Sequence, residues 1–218
     1  MVMLFAIPKF LQSLPEMRED SGKTSEPIFS AEDQDILWML RVAQGDTVAF
    51  EQLIEVHQAR VVRTIVKMLG DELDAEDIAQ QVFLRVWNSA HRYQPTAKFT
   101  TWLFKITRNL VLNEMRRRKR HPVTALEHEE EGHHFQAVDH QAQTPDESLV
   151  TEEIQGAIAQ AIESLPEPQR MAIILRRYEE MPYEEIAEVL KISVSAVKSI
   201  LFRARTELRV QLKKYLED

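Results

Sequence analysis

Between the Gly-Asp pairs at positions 45–46 and 70–71, Phe50, Leu53, Ile54, His57, Val61, Ile65, Met68 and Leu69 recur at helical spacing. That period gathers them into one apolar stripe on a single helix. Each Gly-Asp pair reads as a helix stop followed by a fresh cap. His57 falls on the stripe, so it is expected as a packed core side chain and not as a ligand. Further on, Asp74 is placed to cap "AEDIAQQVFLRVW", with Glu76 and Asp77 at the positive end of the helix dipole. Ile78, Val82 and Val86 then face the core, while Asp77, Gln80, Gln81, Leu84 and Asn88 line up on the opposite side. A lone exposed leucine carries no meaning by itself. A polar stripe built around an apolar anchor is, however, also how a helix docks on another helix.

The segment "TWLFKITRNLVLNEMRRRKR" predicts a further helix starting near Thr100 or Thr101. At 100° per residue, Phe99, Leu103, Ile106 and Leu110 share a face for packing on the preceding helices. Trp102, Lys105, Asn109, Asn113 and Arg116 fall on a second face, about a quarter-turn away. An aromatic ring offers a stacking surface, asparagines hydrogen-bond base edges, and Lys and Arg neutralise phosphates. Unpaired nucleotides need that combination. The competing reading has Trp102 covering a core edge and the cations forming a solvated helix end that suits the dipole.

The C-terminal third reads as four helices. Thr144, Pro145, Asp146 and Glu147 start the first, "PEPQRMAIILRRYEEM" makes the second, "PYEEIAEVL" the third and "SVSAVKSILFRARTELRVQLKKYL" the fourth. Only "KIS" separates the last two, with Ser193 as the expected cap, which is the helix-turn-helix pattern. Ile186, Ala187, Leu190, Ile192, Val197 and Leu201 are positioned to form its small core. Ser195, Lys198, Ser199, Phe202 and Arg209 project outward, with Arg203 and Arg205 at the flanks. In a major groove the start of such a helix reads base edges, flanking cations hold phosphates, and an outward phenylalanine suits a thymine methyl.

Charge sharpens this picture. The chain of 218 residues carries 27 basic and 35 acidic side chains, a formal charge of −8, which argues against indiscriminate coating of nucleic acid. The cations are segregated, however. Lys98 to Arg120 and Lys191 to Lys214 are basic, and His121 to Glu153 holds no Lys or Arg at all. Two anion-binding modules joined by a linker that repels anions follow from that pattern. As a flexible coil, residues 121–148 have a root-mean-square reach of ~30 Å and a maximum of ~95 Å. Two modules so joined can grip DNA sites more than one helical turn, ~34 Å, apart. The chain has no cysteine, which removes disulfides and thiolate metal sites and fits a reducing cytosol. The apolar start "MVMLFAIPKFL" is interrupted by Pro8 far short of the ~20 residues of a membrane span, and residues 1–30 are expected to be a disordered tail.

Taken in order, "RVAQGDTVAFEQLIEVH", "DAEDIAQQVFLRVW", "FTTWLFKITRNLVLNEMRRRKR", an acidic linker, "LPEPQRMAIILRR", "YEEIAEVL" and "AVKSILFRAR" resemble an extracytoplasmic-function (ECF) sigma factor of bacterial RNA polymerase, sigma-E-like, from about Asp33 to Leu212. The resemblance implies an all-α protein of two small domains: sigma-2 over residues 31–120 and a sigma-4 helix-turn-helix over 149–218. It further implies that Asp77, Gln80, Gln81 and Leu84 dock on the clamp helices of the largest polymerase subunit, with sigma-4 on the beta-flap. Trp102 and Asn109, with Lys105, Asn113 and Arg116 beside them, would border the proximal promoter element, where one base of the non-template strand is flipped into a pocket. Ser195, Lys198, Ser199, Phe202, Arg203 and Arg205 would read the distal element. The acidic linker would thread a basic channel of polymerase. An anti-sigma factor, commonly membrane-bound in the family, is the implied regulator of a cytoplasmic protein that takes no small-molecule substrate and no cofactor. Three positions depart from the family pattern: Pro182 where many members have a serine cap, Ile200 where arginine is common, and Ser195 where glycine is common.

Two rivals remain at this level. A stand-alone helix-turn-helix regulator would bind duplex DNA without polymerase and would not need the Trp102 and Asn109 face. A metal-dependent hydrolase would need His128, His133, His134 and nearby acids to converge, and "HEEEGHH" with His140 lacks fixed helical spacing. With no nucleophile beside a base, no phosphate-cradling glycine loop and no paired carboxylates on a scaffold, neither catalysis nor a metal site is expected.

Overall fold

The long apolar stripe does form one helix, and its ends are the expected ones. Asp46 caps it by accepting the Ala49 N–H at 3.0 Å, and Arg41 bonds the same carboxylate at 2.9 Å. These contacts hold the Asp46 carboxyl below the usual carboxylate range. Gly70 ends the helix in the left-handed conformation, φ 74°, and its N–H bonds the Val66 carbonyl. A residue with a Cβ would be strained there.

The computed structural model describes residues 34–71, 73–120 and 145–215. The expected N-terminal tail, and most of the acidic linker with its histidines, lie outside the described residues. The described chain is all-α, with helices α1 (Gln34–Val42), α2 (Thr47–Leu69), α3 (Leu73–Ser89), α4 (Phe99–Arg120), α5 (Pro145–Ser164), α6 (Glu167–Arg177), α7 (Tyr183–Leu190) and α8 (Val194–Gln211), plus single 3-10 turns at Ala90–Arg92 and Lys213–Tyr215.

Helices α1 to α4 form the first domain. Ile78, Val82 and Val86 are buried as expected, and His57 is a core residue. Its ring lies 5.2 Å from that of Phe99, and its Nε2 is 3.0 Å from the Asp35 carboxylate. Asp74 is a correction. It already lies inside α3 and does not cap it; its carboxylate instead meets Arg118 at 2.5 Å. A guanidinium brought in by α4 outcompetes the local cap.

Helices α5 to α8 form the second domain. Ile186, Ala187, Leu190, Val197 and Leu201 are buried, with Ile192 half-buried beside them. Ser193 caps α8 by accepting the Ala196 N–H at 3.2 Å, whereas Pro182 supplies no side-chain cap to α7. The turn between them places Lys191 in the left-handed region at φ 58°. A side chain there costs about 1–2 kcal/mol relative to the right-handed conformation. Lys191→Gly is therefore expected to raise stability by about 0.5–1 kcal/mol after the extra chain entropy of glycine is subtracted. Chemical denaturation checks this, and a destabilised variant would contradict the strained turn.

The two domains pack directly on one another, and their buried residues merge into one continuous apolar core. Helix α7 lies along α4, while α5 and α6 pack on α2. The Arg170 guanidinium of α6 donates to the Met68 carbonyl at 2.7 Å and also to the Glu163 carbonyl, so it helps close the C-terminal end of α2. Burial lowers the pKa of Arg170. Lys67 of α2 stands 4.2 Å from the centre of the Tyr178 ring; burial, with Arg63 nearby, pushes its amine down to about 8.

Candidate nucleic-acid and partner interfaces

Helix α4 is buried on more than one side, which decides what remains for a ligand. Phe99 and Leu103 are buried on the expected face and Ile106 and Leu110 are half-buried, but Thr101, Phe104, Thr107, Val111 and Leu112 are buried as well. Of the residues on the second face, Asn109, Asn113 and Arg116 are exposed. Trp102 is half-buried: Tyr93 meets it edge-on at 5.1 Å and Phe99 lies 6.0 Å away. Part of the indole therefore belongs to the core edge, and only the remainder is offered to a base. Lys105 is engaged, its amine 2.9 Å from the Glu188 carboxylate of α7.

The five-cation run at the end of α4 divides by role. Arg117 makes two bonds to Glu114, at 2.7 and 2.8 Å. Arg118 reaches Glu114, Asp71, Asp74 and the Leu69 carbonyl, tying α4 to α3 and to the end of α2. Hydrogen bonds from Arg117 and then Arg118 hold the Glu114 carboxyl below its ordinary range. Arg116, Lys119 and Arg120 stay exposed. Arg118 is thus a structural clamp inside a stretch whose composition reads as uniformly phosphate-binding.

On α3, Asp77, Gln80, Gln81, Leu84 and Asn88 are all exposed, with Leu84 at 60%. A cleft of about 370 Å³ runs between α3 and α4, and its lining includes Gln81, Arg85, Asn113, Arg117 and Arg120. It joins the polar stripe to the cationic face of α4. On α8, Ser195, Lys198, Ser199, Phe202 and Arg203 are exposed, and Arg205 is half-buried with its guanidinium on the Leu201 carbonyl at 3.3 Å. Ser195 and Ser199 spend hydroxyl bonds locally, Ser195 with Ser193 at 2.9 Å and Ser199 on the Ser195 carbonyl at 3.0 Å. Phe202, 57% exposed, has no reason of packing to face outward.

A cationic helix with an aromatic and two asparagines, and a helix-turn-helix, are thus carried by one chain. Known proteins share that combination. The family model for Sigma-70 region 2 matches residues 53–121, and that for Sigma-70 region 4 matches residues 155–208. RNA polymerase sigma-H factor of Pseudomonas aeruginosa is 31% identical, over 86% of this chain and 98% of its own length. The chain belongs to the ECF sigma factors. ECF RNA polymerase sigma factor SigW of Bacillus subtilis is 32% identical over 79% of this chain and 94% of its own, and the ECF sigma-E factor of Escherichia coli is 32% identical over 76% and 87%. Two solved structures share the fold. CnrH, in complex with the cytosolic domain of CnrY, has a TM-score of 0.62 at 23% identity, covering 84% of this chain and 99% of CnrH. RpoE from Bartonella quintana, with the anti-sigma factor NepR, has a TM-score of 0.59 at 24% identity, covering 75% and 96%. This sigma factor is accordingly a transcription initiation factor that directs RNA polymerase to promoters, and a stand-alone regulator is not favoured.

The sequence reading gave no role to Glu179, Glu185 or Glu188 of the sigma factor. Glu179 accepts from Arg60 at 2.8 Å and from the Thr64 hydroxyl at 3.1 Å. Glu185 lies 2.9 Å from the Lys98 amine and accepts from the Thr101 hydroxyl at 3.2 Å. The available signal was the pair of threonines placed where apolar residues were expected. A buried hydroxyl needs a partner.

Proposed function

We propose that the two exposed cationic surfaces divide promoter recognition between them. The surface of α4, with Trp102, Lys105, Asn109, Asn113 and Arg116, meets the proximal element and receives a flipped non-template base; that of α8, with Ser195, Lys198, Ser199, Phe202, Arg203 and Arg205, reads the distal element. The domain limits that go with this are 31–120 and 149–218, with residues 121–148 as the acidic strap. The α3 stripe of Asp77, Gln80, Gln81 and Leu84 binds the clamp helices of core polymerase, and the second domain contacts the beta-flap. The observation that carries this reading is the outward pairing of Asn109 and Asn113 beside a partly open indole. Flipping a base costs a few kcal/mol, and stacking returns ~1–3 kcal/mol per base.

The chain works in the cytoplasm without a cofactor and is not itself an enzyme. An anti-sigma factor is its regulator, as the complexes of CnrH with CnrY and of RpoE with NepR suggest.

Purified chain mixed with core polymerase is expected to give transcripts starting at a discrete set of promoters; absent or scattered starts would refute the reading. Asn109→Ala is expected to slow promoter opening about tenfold with polymerase affinity unchanged, the scale of one lost base contact. Lys198→Ala is expected to weaken distal-element binding and, if the amine holds a phosphate, to lower the salt slope by about one. Footprinting and binding across a salt series check both.

A further inference from the structure

The contact between the two domains is a built carboxylate-binding surface. The first domain contributes donors from three places: Arg60 and Thr64 on α2, Lys98 just before α4, and Thr101 and Lys105 on α4. The second domain contributes Glu179, Glu185 and Glu188, the last two on α7. Glu179 and Glu185 are each 8% exposed. A buried carboxylate persists only when paired and hydrogen-bonded, and each of these two has one cation and one threonine hydroxyl. An adventitious surface contact would not bury two such groups with matched partners.

The position of this surface gives it a consequence. Thr101, Phe104, Lys105 and Arg108 share one flank of α4 at 100° per residue, and that flank lies against the second domain. Trp102, Asn109, Asn113 and Arg116 occupy the adjoining flank. Lys105 stands at the border of the two and is held by Glu188. While α7 lies on α4, the helix-turn-helix also cannot stand a helical turn of DNA away from the α4 face, as two separated promoter elements require.

We propose that the α2 and α4 flank is a docking surface for the acidic face of this chain's own helix-turn-helix, and that the docked form is self-blocked: the carboxylates hold the donors, Lys105 among them, until core polymerase separates the domains. The docking itself stands independently, whereas the blocking rests on the assignment of α4 to promoter contact made above.

The test uses the full chain. Because it lacks cysteine, Gln58→Cys and Glu207→Cys, both at exposed positions, give a clean pair for spin labels and a distance between α2 and α8. The unaltered interface is expected to give a single short distance, and Glu185→Lys with Glu188→Lys a broad, longer distribution with helicity kept. Adding Lys98→Glu to Glu185→Lys alone should restore the short distance, which a purely structural defect would not permit. Core polymerase should lengthen the distance in the unaltered protein, and the Glu185→Lys, Glu188→Lys variant should bind polymerase about tenfold more tightly if about one-tenth of the chain is normally open. A long distance in the unaltered protein, or no change on charge reversal, would overturn the docking. Opened variants with unchanged polymerase affinity and unchanged promoter opening would overturn the blocking, while transcription from discrete starts would leave the functional reading intact. Failure of every variant to direct specific starts would remove that functional reading, and the blocking with it, while the measured distances would still decide the docking.

Discussion

Leu84→Asp is expected to weaken the complex with core RNA polymerase by about 100-fold to 1,000-fold and to leave the stability of the free protein nearly unchanged. Leu84 is 60% exposed in the middle of the α3 stripe, so its side chain contributes little to the sigma factor's own core. Burying a leucine in an interface is worth about 1.5–3 kcal/mol. An aspartate in its place loses that term and adds the cost of desolvating a carboxylate with no arranged partner. Together these reach about 3–4 kcal/mol, and each 1.4 kcal/mol is a factor of about ten in affinity. Leu84→Met keeps the apolar volume and is expected to stay within about tenfold of the parent. Titration of labelled protein with core polymerase separates the cases; equal affinity for parent and Asp variant would remove α3 from the polymerase interface.

Phe104→Ala is expected to cost about 3–5 kcal/mol of stability, the range for deleting a fully buried phenylalanine. Phe104 is 1% exposed, with the Arg60 guanidinium 5.9 Å from its ring centre. The ring therefore lies beside the Arg60–Glu179 pair that joins the domains. Truncating it leaves a cavity in α4 and loosens the wall of that ion pair. Urea unfolding measures the loss; a cost below about 1 kcal/mol would mean that the flank is not closed by the second domain in solution.

The contrast between Phe104 and Leu103 shows what local pattern can carry. Leu103 belongs to a stripe of period 3.6 and was legible as core. Phe104 is one step round the helix, on a flank buried only because α7 arrives there from about eighty residues later in the chain. No window along the sequence contains that information. The same reason separates the helix-turn-helix, whose core, short turn and Ser193 cap are all local and were read correctly, from Arg118, whose partners Asp71 and Asp74 lie 47 and 44 residues away. Asp74 had the right residue type for a cap but was drawn to that arginine. For the candidate surfaces, exposure of the α3 stripe, of Asn109 and Asn113, and of most of the α8 face followed from periodicity. The engagement of Lys105 and the partial burial of Trp102 did not, because both depend on what packs beside α4.

Arg170 carries a consequence for engineering. By crossing to the carbonyl end of α2, it makes the front half of the protein rely on a side chain supplied by the back half. Hybrid factors assembled from halves of two relatives are commonly treated as interchangeable parts. Here a donor half lacking a guanidinium at position 170, or acids to match Arg60 and Lys98, would give a chimera with mismatched halves even if each half were sound alone.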